Sequence, residues 1–275
     1  MYTASALRRD AQDRPGLWWL FPREFGAWTI LATGYLTTLL VADALTPAAV
    51  WLIPAVILLL MLKEPLERML RSPGRARLAF AAVAGAELLL SGLFGVLAER
   101  SAGAPLLYAL PLIAAPLYAV AIALGFWSER WRTLRELVAT VGLGLVVPGT
   151  WAALGQPANL AMAIVYAGVV LHFLYGVGFL RLQIIAKRTH MDAADVRQGT
   201  LLLAGSASAI TLGVVVASMF GYLPIWAAVS LLPQMARAYL WLGGEQAWLN
   251  LRRMGRQEVV LAVSLMVIFA LVAHA

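Results

Sequence analysis

The chain has 275 residues, of which 62% are hydrophobic and 13% charged, with a mean hydropathy of +0.81 and a formal net charge of +7. A soluble domain carries about 45–50% apolar and about 25% charged residues, so this composition excludes a single aqueous core, and it excludes disorder for the same reason. The basic residues are spread among segments between apolar runs, which is the signature of membrane topology and not of nucleic-acid binding.

The first residues are polar. Arg8-Arg9 is followed by Asp10, Gln12, Asp13 and Arg14 with no apolar h-region, so no signal peptide is predicted. Trp18-Trp19-Leu20-Phe21 reads as an interfacial aromatic anchor. Residues 1–21 are therefore expected to form a cytoplasmic tail and residues 22–275 a single transmembrane domain. With about 20 apolar residues needed per span, nine spans are predicted, at roughly 25–44, 47–63, 78–98, 104–127, 134–154, 158–180, 200–220, 224–242 and 257–274. The fourth contains Pro111 and Pro116 and the fifth Pro148-Gly149, which mark kink points. The apolar runs are continuous, not alternating, so the fold class is all-α, a polytopic helical bundle.

Charges sort by loop. Arg8, Arg9, Arg14 and Arg23 precede span one. Lys63, Arg68, Arg71, Arg75 and Arg77 lie between spans two and three, and Arg130, Arg132 and Arg135 between four and five. Arg181, Lys187, Arg188 and Arg197 lie between six and seven, and Arg252, Arg253 and Arg256 between eight and nine. The opposite loops hold only Arg100. The positive-inside rule then puts the N-terminus in the cytoplasm and the C-terminus outside. Arg23-Glu24 and Arg135-Glu136 open spans one and five, which suggests a parallel repeat of 22–127 and 134–242 followed by a final span at 257–274.

Cysteine is absent, which excludes disulfides and thiolate chemistry, and His172, His190 and His274 are too far apart in sequence to form an obvious ligand cluster. No Walker, dinucleotide-binding, HExxH or GxSxG motif is present. Two acidic pairs lie in the loops. Glu64 and Glu67 would share one side of a short helix after Lys63, where they suit either Mg²⁺ or surface ion pairing such as Glu67 with Arg71. Asp192 and Asp195 suit either a second metal site or the first turn of the helix entering span seven.

Within the spans, Glu87 is an intramembrane carboxyl, a functional candidate by default, for which His172 is one conceivable partner. His172 lies between Gly168 and Gly176, spacing that lets helices approach closely. His172, Tyr175, Phe179 and Gln183 form a stripe that reads as a cavity lining or as aromatic packing. Arg237, near Gln234 and Tyr239 in span eight, either snorkels or contacts an anion. Glu24 and Glu136 read as dipole partners at helix starts.

The segment Pro22-Arg23-Glu24-Phe25-Gly26-Ala27-Trp28 resembles the opening signature of the YwiC-like bacterial membrane proteins, with Phe25 where His is usual. The nine-span layout, the connections between spans 2–3 and 6–7, and the stretch Arg135-Glu136-Leu137-Val138 through Pro148-Gly149 resemble the UbiA-type intramembrane prenyltransferases. That second resemblance implies a UbiA-like fold in a bacterial inner membrane, and two acidic motifs that bind Mg²⁺ and a prenyl diphosphate. The first motif would fall on Lys63, Glu64, Glu67 and Arg71, with basic residues at its first and last positions, and the second on Asp192 and Asp195. The function expected first is a cytoplasm-facing cavity that binds an isoprenoid, quinone or other lipid-like ligand, with Glu87, His172, Tyr175, Gln183, Arg71, Lys187 and Arg237 as candidate contacts. The alternatives are a Mg²⁺-dependent prenyltransferase using Glu64, Glu67, Asp192 and Asp195, a proton-coupled transporter using Glu87, or a structural subunit of a membrane complex.

Overall fold

A computed structural model of the chain describes residues 25–127, 131–243 and 251–273, and no strand occurs among them. The tail with Trp18 and Trp19, the Pro22-Arg23-Glu24 part of the opening signature, and His274 lie outside the described residues.

The chain is a multi-pass helical membrane bundle. Its elements are α1 (Phe25–Ala42), α2 (Pro47–Met61), α3 (Lys63–Arg71), α4 (Gly74–Ala102), α5 (Leu106–Trp127), α6 (Arg132–Gly144), α7 (Val146–Ala153), α8 (Leu160–Thr189), α9 (Ala193–Met219), a 3₁₀ segment (Ile225–Leu231), α10 (Leu232–Gly243) and α11 (Leu251–Ala273). Seven helical stretches are long and apolar enough to cross a membrane, and the shorter apolar α1 and the 3₁₀–α10 pair occupy the two remaining predicted spans.

Two turns between spans are fixed by side-chain caps. Thr46 Oγ1 accepts from the Ala49 amide at 3.2 Å and donates to the Ala153 carbonyl at 2.7 Å, tying the α1–α2 turn to the end of α7. Pro47 follows Thr46 at the first helical position, where a missing N–H costs nothing. Asn159 caps α8, accepting from the Met162 amide at 2.9 Å.

Prolines act differently from one span to the next. Span five breaks at Leu145 into α6 and α7, because Pro148 has no N–H for the Gly144 carbonyl. Pro111 and Pro116 sit inside a continuous α5. Span eight starts as 3₁₀ helix, and the Leu232 amide closes that segment on the Val229 carbonyl one residue before Pro233. Seven residues at ~2.0 Å and twelve at ~1.5 Å reach roughly 32 Å, which matches a hydrocarbon core of about 30 Å.

The two connections expected to be long polar loops are mostly helix. α3 extends the second span to Arg71, and α8 and α9 run on until only His190, Met191 and Asp192 separate them. Helix propagation needs one hydrogen bond per added residue and no apolar face, so the helices outlast the hydrophobic runs that locate the spans. His190 closes α8 in the left-handed conformation, at φ 52°.

The core lies between α1, α7, α8, the 3₁₀ segment and α11, where Val147, Val165, Val169, Leu265 and Phe269 are fully buried. Close approach depends on glycine: a Cβ on Gly34 would meet Val146 at 2.6 Å, and one on Gly168 would meet Phe269 at 2.6 Å. The peripheral helices α4, α5 and α9 turn Leu89, Leu112 and Leu202 outward, as lipid-facing surfaces require.

Candidate functional site

α8 organises the site. Residues 172, 176, 179 and 183 follow helical spacing, and all four are buried on the face that meets α10 and α11. Gly176 makes that approach possible: a Cβ there would lie 3.0 Å from Glu258 Oε2 and 3.5 Å from Gln234 Nε2.

Around this face the structure gathers His172 and Phe179 from α8, Gln234 and Arg237 from α10, and Glu258 from α11. His172, at 0% exposure, places Nε2 3.1 Å from Gln234 Nε2. Arg237 is buried and donates through a terminal nitrogen to Glu258 Oε1. Its guanidinium also lies 4.2 Å from the centre of the Phe179 ring, a cation–π contact in a site removed from water. Phe179 is held in turn by an edge contact with Trp241 at 5.7 Å. His172 also bonds to the Ser230 backbone. Three atoms along this face are buried without a hydrogen-bond partner among the described residues: Gln183 Nε2, Gln234 Oε1 and Arg237 Nε.

Two separate cavities lie along the cleft between α8, α9 and the 3₁₀–α10 span. The polar one, at its foot, is small, about 10 Å³, and is lined by Tyr175, Phe179, Gln234 and Arg237 with Leu203, Ala204, Ala207 and Ala238. Farther along, the same three elements enclose an apolar groove of about 250 Å³, lined by residues such as Ala167, Leu171, Ile210, Val214, Leu223 and Ala227. Arg237 thus neither snorkels nor stands alone; it is paired inside the bundle.

A second interhelical ion pair, half-buried, lies between α6 and α8. Arg181 donates through Nε and a terminal nitrogen to both Glu136 oxygens, and Arg132 Nε approaches Glu136 at 3.6 Å. Glu136 is therefore an interhelical anchor and not the dipole partner expected, and Arg181 belongs to a helix and not to a loop.

The other predicted residues, Tyr175 apart, are dispersed. Tyr175 lines the small polar cavity beside Phe179, Gln234 and Arg237, and its hydroxyl donates to Ser206 Oγ of α9 at 3.0 Å. Glu87 is buried on α4 with Oε2 unpartnered, on the face whose Ser91 hydroxyl donates to the Ala55 carbonyl of α2 at 2.8 Å. The partner of His172 is Gln234 and not Glu87. Lys187 is exposed at the end of α8, and Arg71 lies 5.0 Å above the Phe126 ring at the surface. Glu67 pairs with Arg71 at 3.5 Å on α3, and Asp192 caps α9 by accepting from the Asp195 amide at 2.8 Å. α3 packs on α4 and α9 on α8 and α10, and among the described residues no group of three or more His, Asp or Glu converges to hold a metal ion.

Glu258 was missed by sequence reasoning, and Gln234 was passed over as a neighbour of Arg237. The signal for Glu258 was weak: it stands at the edge of the last apolar run, directly after Arg256-Gln257, where a carboxylate reads as interfacial.

Residues 21–150 match the family model of YwiC-like proteins, just under half of the chain. No curated protein and no solved structure matches it. The matched segment runs from before α1 into α7 and includes Glu64, Glu67, Glu87 and Glu136, whereas the cleft and its polar foot lie beyond it.

Proposed function

We propose that the protein binds an isoprenoid or other lipid-like ligand in a bacterial cytoplasmic membrane. The apolar tail would lie in the groove between α8, α9 and the 3₁₀ segment, and the polar head at Gln234 and Arg237. The observation that carries this reading is the pairing, along one interhelical seam, of an aliphatic groove and a small polar cavity whose Gln234 and Arg237 each keep a polar atom without a partner among the described residues. Ligand sites combine an apolar lining with a few fixed polar groups in this way. At about 250 Å³ the groove holds part of a hydrocarbon chain, and its open side, where Ala167 is exposed, leaves the remainder to the bilayer.

Binding is favoured over prenyl transfer by the placement of the charged groups. Glu67 of α3 is engaged in an ion pair and Asp192 in the cap of α9, while Gln234 and Arg237 line the cleft. The test is mass spectrometry of lipids retained on the protein in a mild detergent, for the wild type and Ala167→Trp. The indole would fill the groove from its open side without disturbing the buried core. A lipid enriched in the wild type and lost in the variant, at equal thermal stability, is the expected result. Equal lipid profiles in both, or no enrichment over the surrounding bilayer, would overturn the reading.

A further inference from the structure

We infer that the apolar groove takes its hydrocarbon chain sideways from the outer leaflet of the membrane, through the gap between the outer halves of α8 and α9. This rests on the ligand-binding reading above and adds the side of the membrane from which the site is filled.

The groove lies at the outer end of the helices that form it. Lys187 and Arg188 lie in the last turn of α8, and Arg197 lies near the start of α9. The positive-inside rule makes those ends cytoplasmic. On α8 the groove lining runs from Leu160, the first residue of the helix, to Leu171. On α9 it takes Ile210, Thr211 and Val214, in the half that ends at Met219. Eleven steps of ~1.5 Å along α8 give a depth of roughly 17 Å, about half of a hydrocarbon core of about 30 Å. The groove therefore spans one leaflet, the outer one.

α8 and α9 touch in the inner half and part in the outer half. Tyr175 donates to Ser206 Oγ at 3.0 Å, a Cβ on Gly178 would lie 3.3 Å from Leu203, and one on Gly199 would lie 2.8 Å from Leu182. Farther out, Thr211 Oγ1 meets Met235 Sδ of α10 at 3.3 Å, so α9 leans on the 3₁₀–α10 span. The gap left between α8 and α9 is the mouth of the groove. Leu160, Ala163, Ala167 and Ile210 line it and are exposed, so its open side faces hydrocarbon. The two alanines, one helical turn apart, have no bulk to close it. Toward the cytoplasm the seam continues only as the polar cavity of about 10 Å³. That is room for about one water-sized group and none for a passing chain.

The test compares the full chain in spheroplasts, where an added probe reaches the outer leaflet, with inverted membrane vesicles, where it reaches the inner one. The probes are a phosphatidylcholine with a diazirine at its chain tip and a geranylgeranyl monophosphate with a diazirine on its tail. Their charged head groups hold each probe in the leaflet to which it is added. After illumination the labelled residues are read by peptide mass spectrometry, with lipid-facing Leu112 on α5 as the measure of bulk lipid contact. At least one probe should label residues 160–171 at least tenfold more in spheroplasts than in inverted vesicles. Excess unlabelled probe should compete that label away and leave the label at Leu112. Groove labelling that is equal or stronger in inverted vesicles would overturn the outer-leaflet route while leaving the groove as the ligand site. Groove labelling by both probes that is competed no more than the label at Leu112, in both preparations, would overturn the ligand-binding reading and this inference together.

Discussion

Arg237 of α10 and Glu258 of α11 form an ion pair beneath the Phe179 ring, beside the small polar cavity that Arg237 lines. Both side chains are largely withdrawn from solvent, at 8% and 21% exposure. Removing one partner strands the other, which costs about 3–5 kcal/mol. Arg237→Ala and Glu258→Ala should therefore each lower the unfolding temperature in detergent substantially. The apolar double variant Arg237→Met/Glu258→Leu should lie close to the wild type. Additive losses in the double variant would show that the two side chains act independently.

Gly176 gives a sharper probe of the same contact. A methyl group there would crowd Glu258 Oε2 at 3.0 Å and Gln234 Nε2 at 3.5 Å. Gly176→Ala should keep the fold, with a loss on the order of 1 kcal/mol or a little more, and reduce lipid retention. Gly205, which has open space around its Cα, is the control: Gly205→Ala should leave lipid retention unchanged.

The pair Arg181–Glu136 is two-pronged, and lysine cannot reproduce a guanidinium fork. Arg181→Lys should therefore behave more like a loss than a conservative exchange, lowering stability by roughly 1–3 kcal/mol. Its lipid retention should persist, because α6 does not line the cleft. Loss of retained lipid at wild-type stability would contradict this division between anchor and site.

Asp192 distinguishes a helix cap from a metal ligand. Asp192→Asn keeps a side-chain oxygen for the Asp195 amide and should be nearly silent, while Asp192→Ala should cost about 1 kcal/mol. In neither variant should Mg²⁺ change the unfolding temperature differently from the wild type. A Mg²⁺-dependent stabilisation of the wild type that both variants lose would restore the metal reading.

Hydropathy and loop charge were enough to find the spans. Each of the nine apolar runs is helical, because in lipid every backbone amide must bond within its own segment. The helix ends were less legible: α8 continues nine residues past the predicted end at Leu180, and nothing in an apolar count reports that. The inward face of His172 was legible from Gly168 and Gly176, since small residues at that spacing imply close packing. Its partner was not, because the choice between Glu87 and Gln234 depends on which helices are neighbours. The loop acids drew attention as paired carboxylates, yet Glu67 and Asp192 act locally, within a helix or at its first turn. Local roles of this kind satisfy the same spacings as a metal motif, and sequence alone does not separate them.

The 3₁₀ segment before α10 sets the reach and the bearing of Arg237. Each of its seven residues spans about 0.5 Å more than in an α-helix and turns about 20° further. Rewound as α-helix, the segment would draw the guanidinium back by roughly 3.5 Å and swing it by about 140°, far beyond the span of a hydrogen bond to Glu258. The ion pair is therefore also a length gauge: it closes only while the outer half of the eighth span stays drawn out.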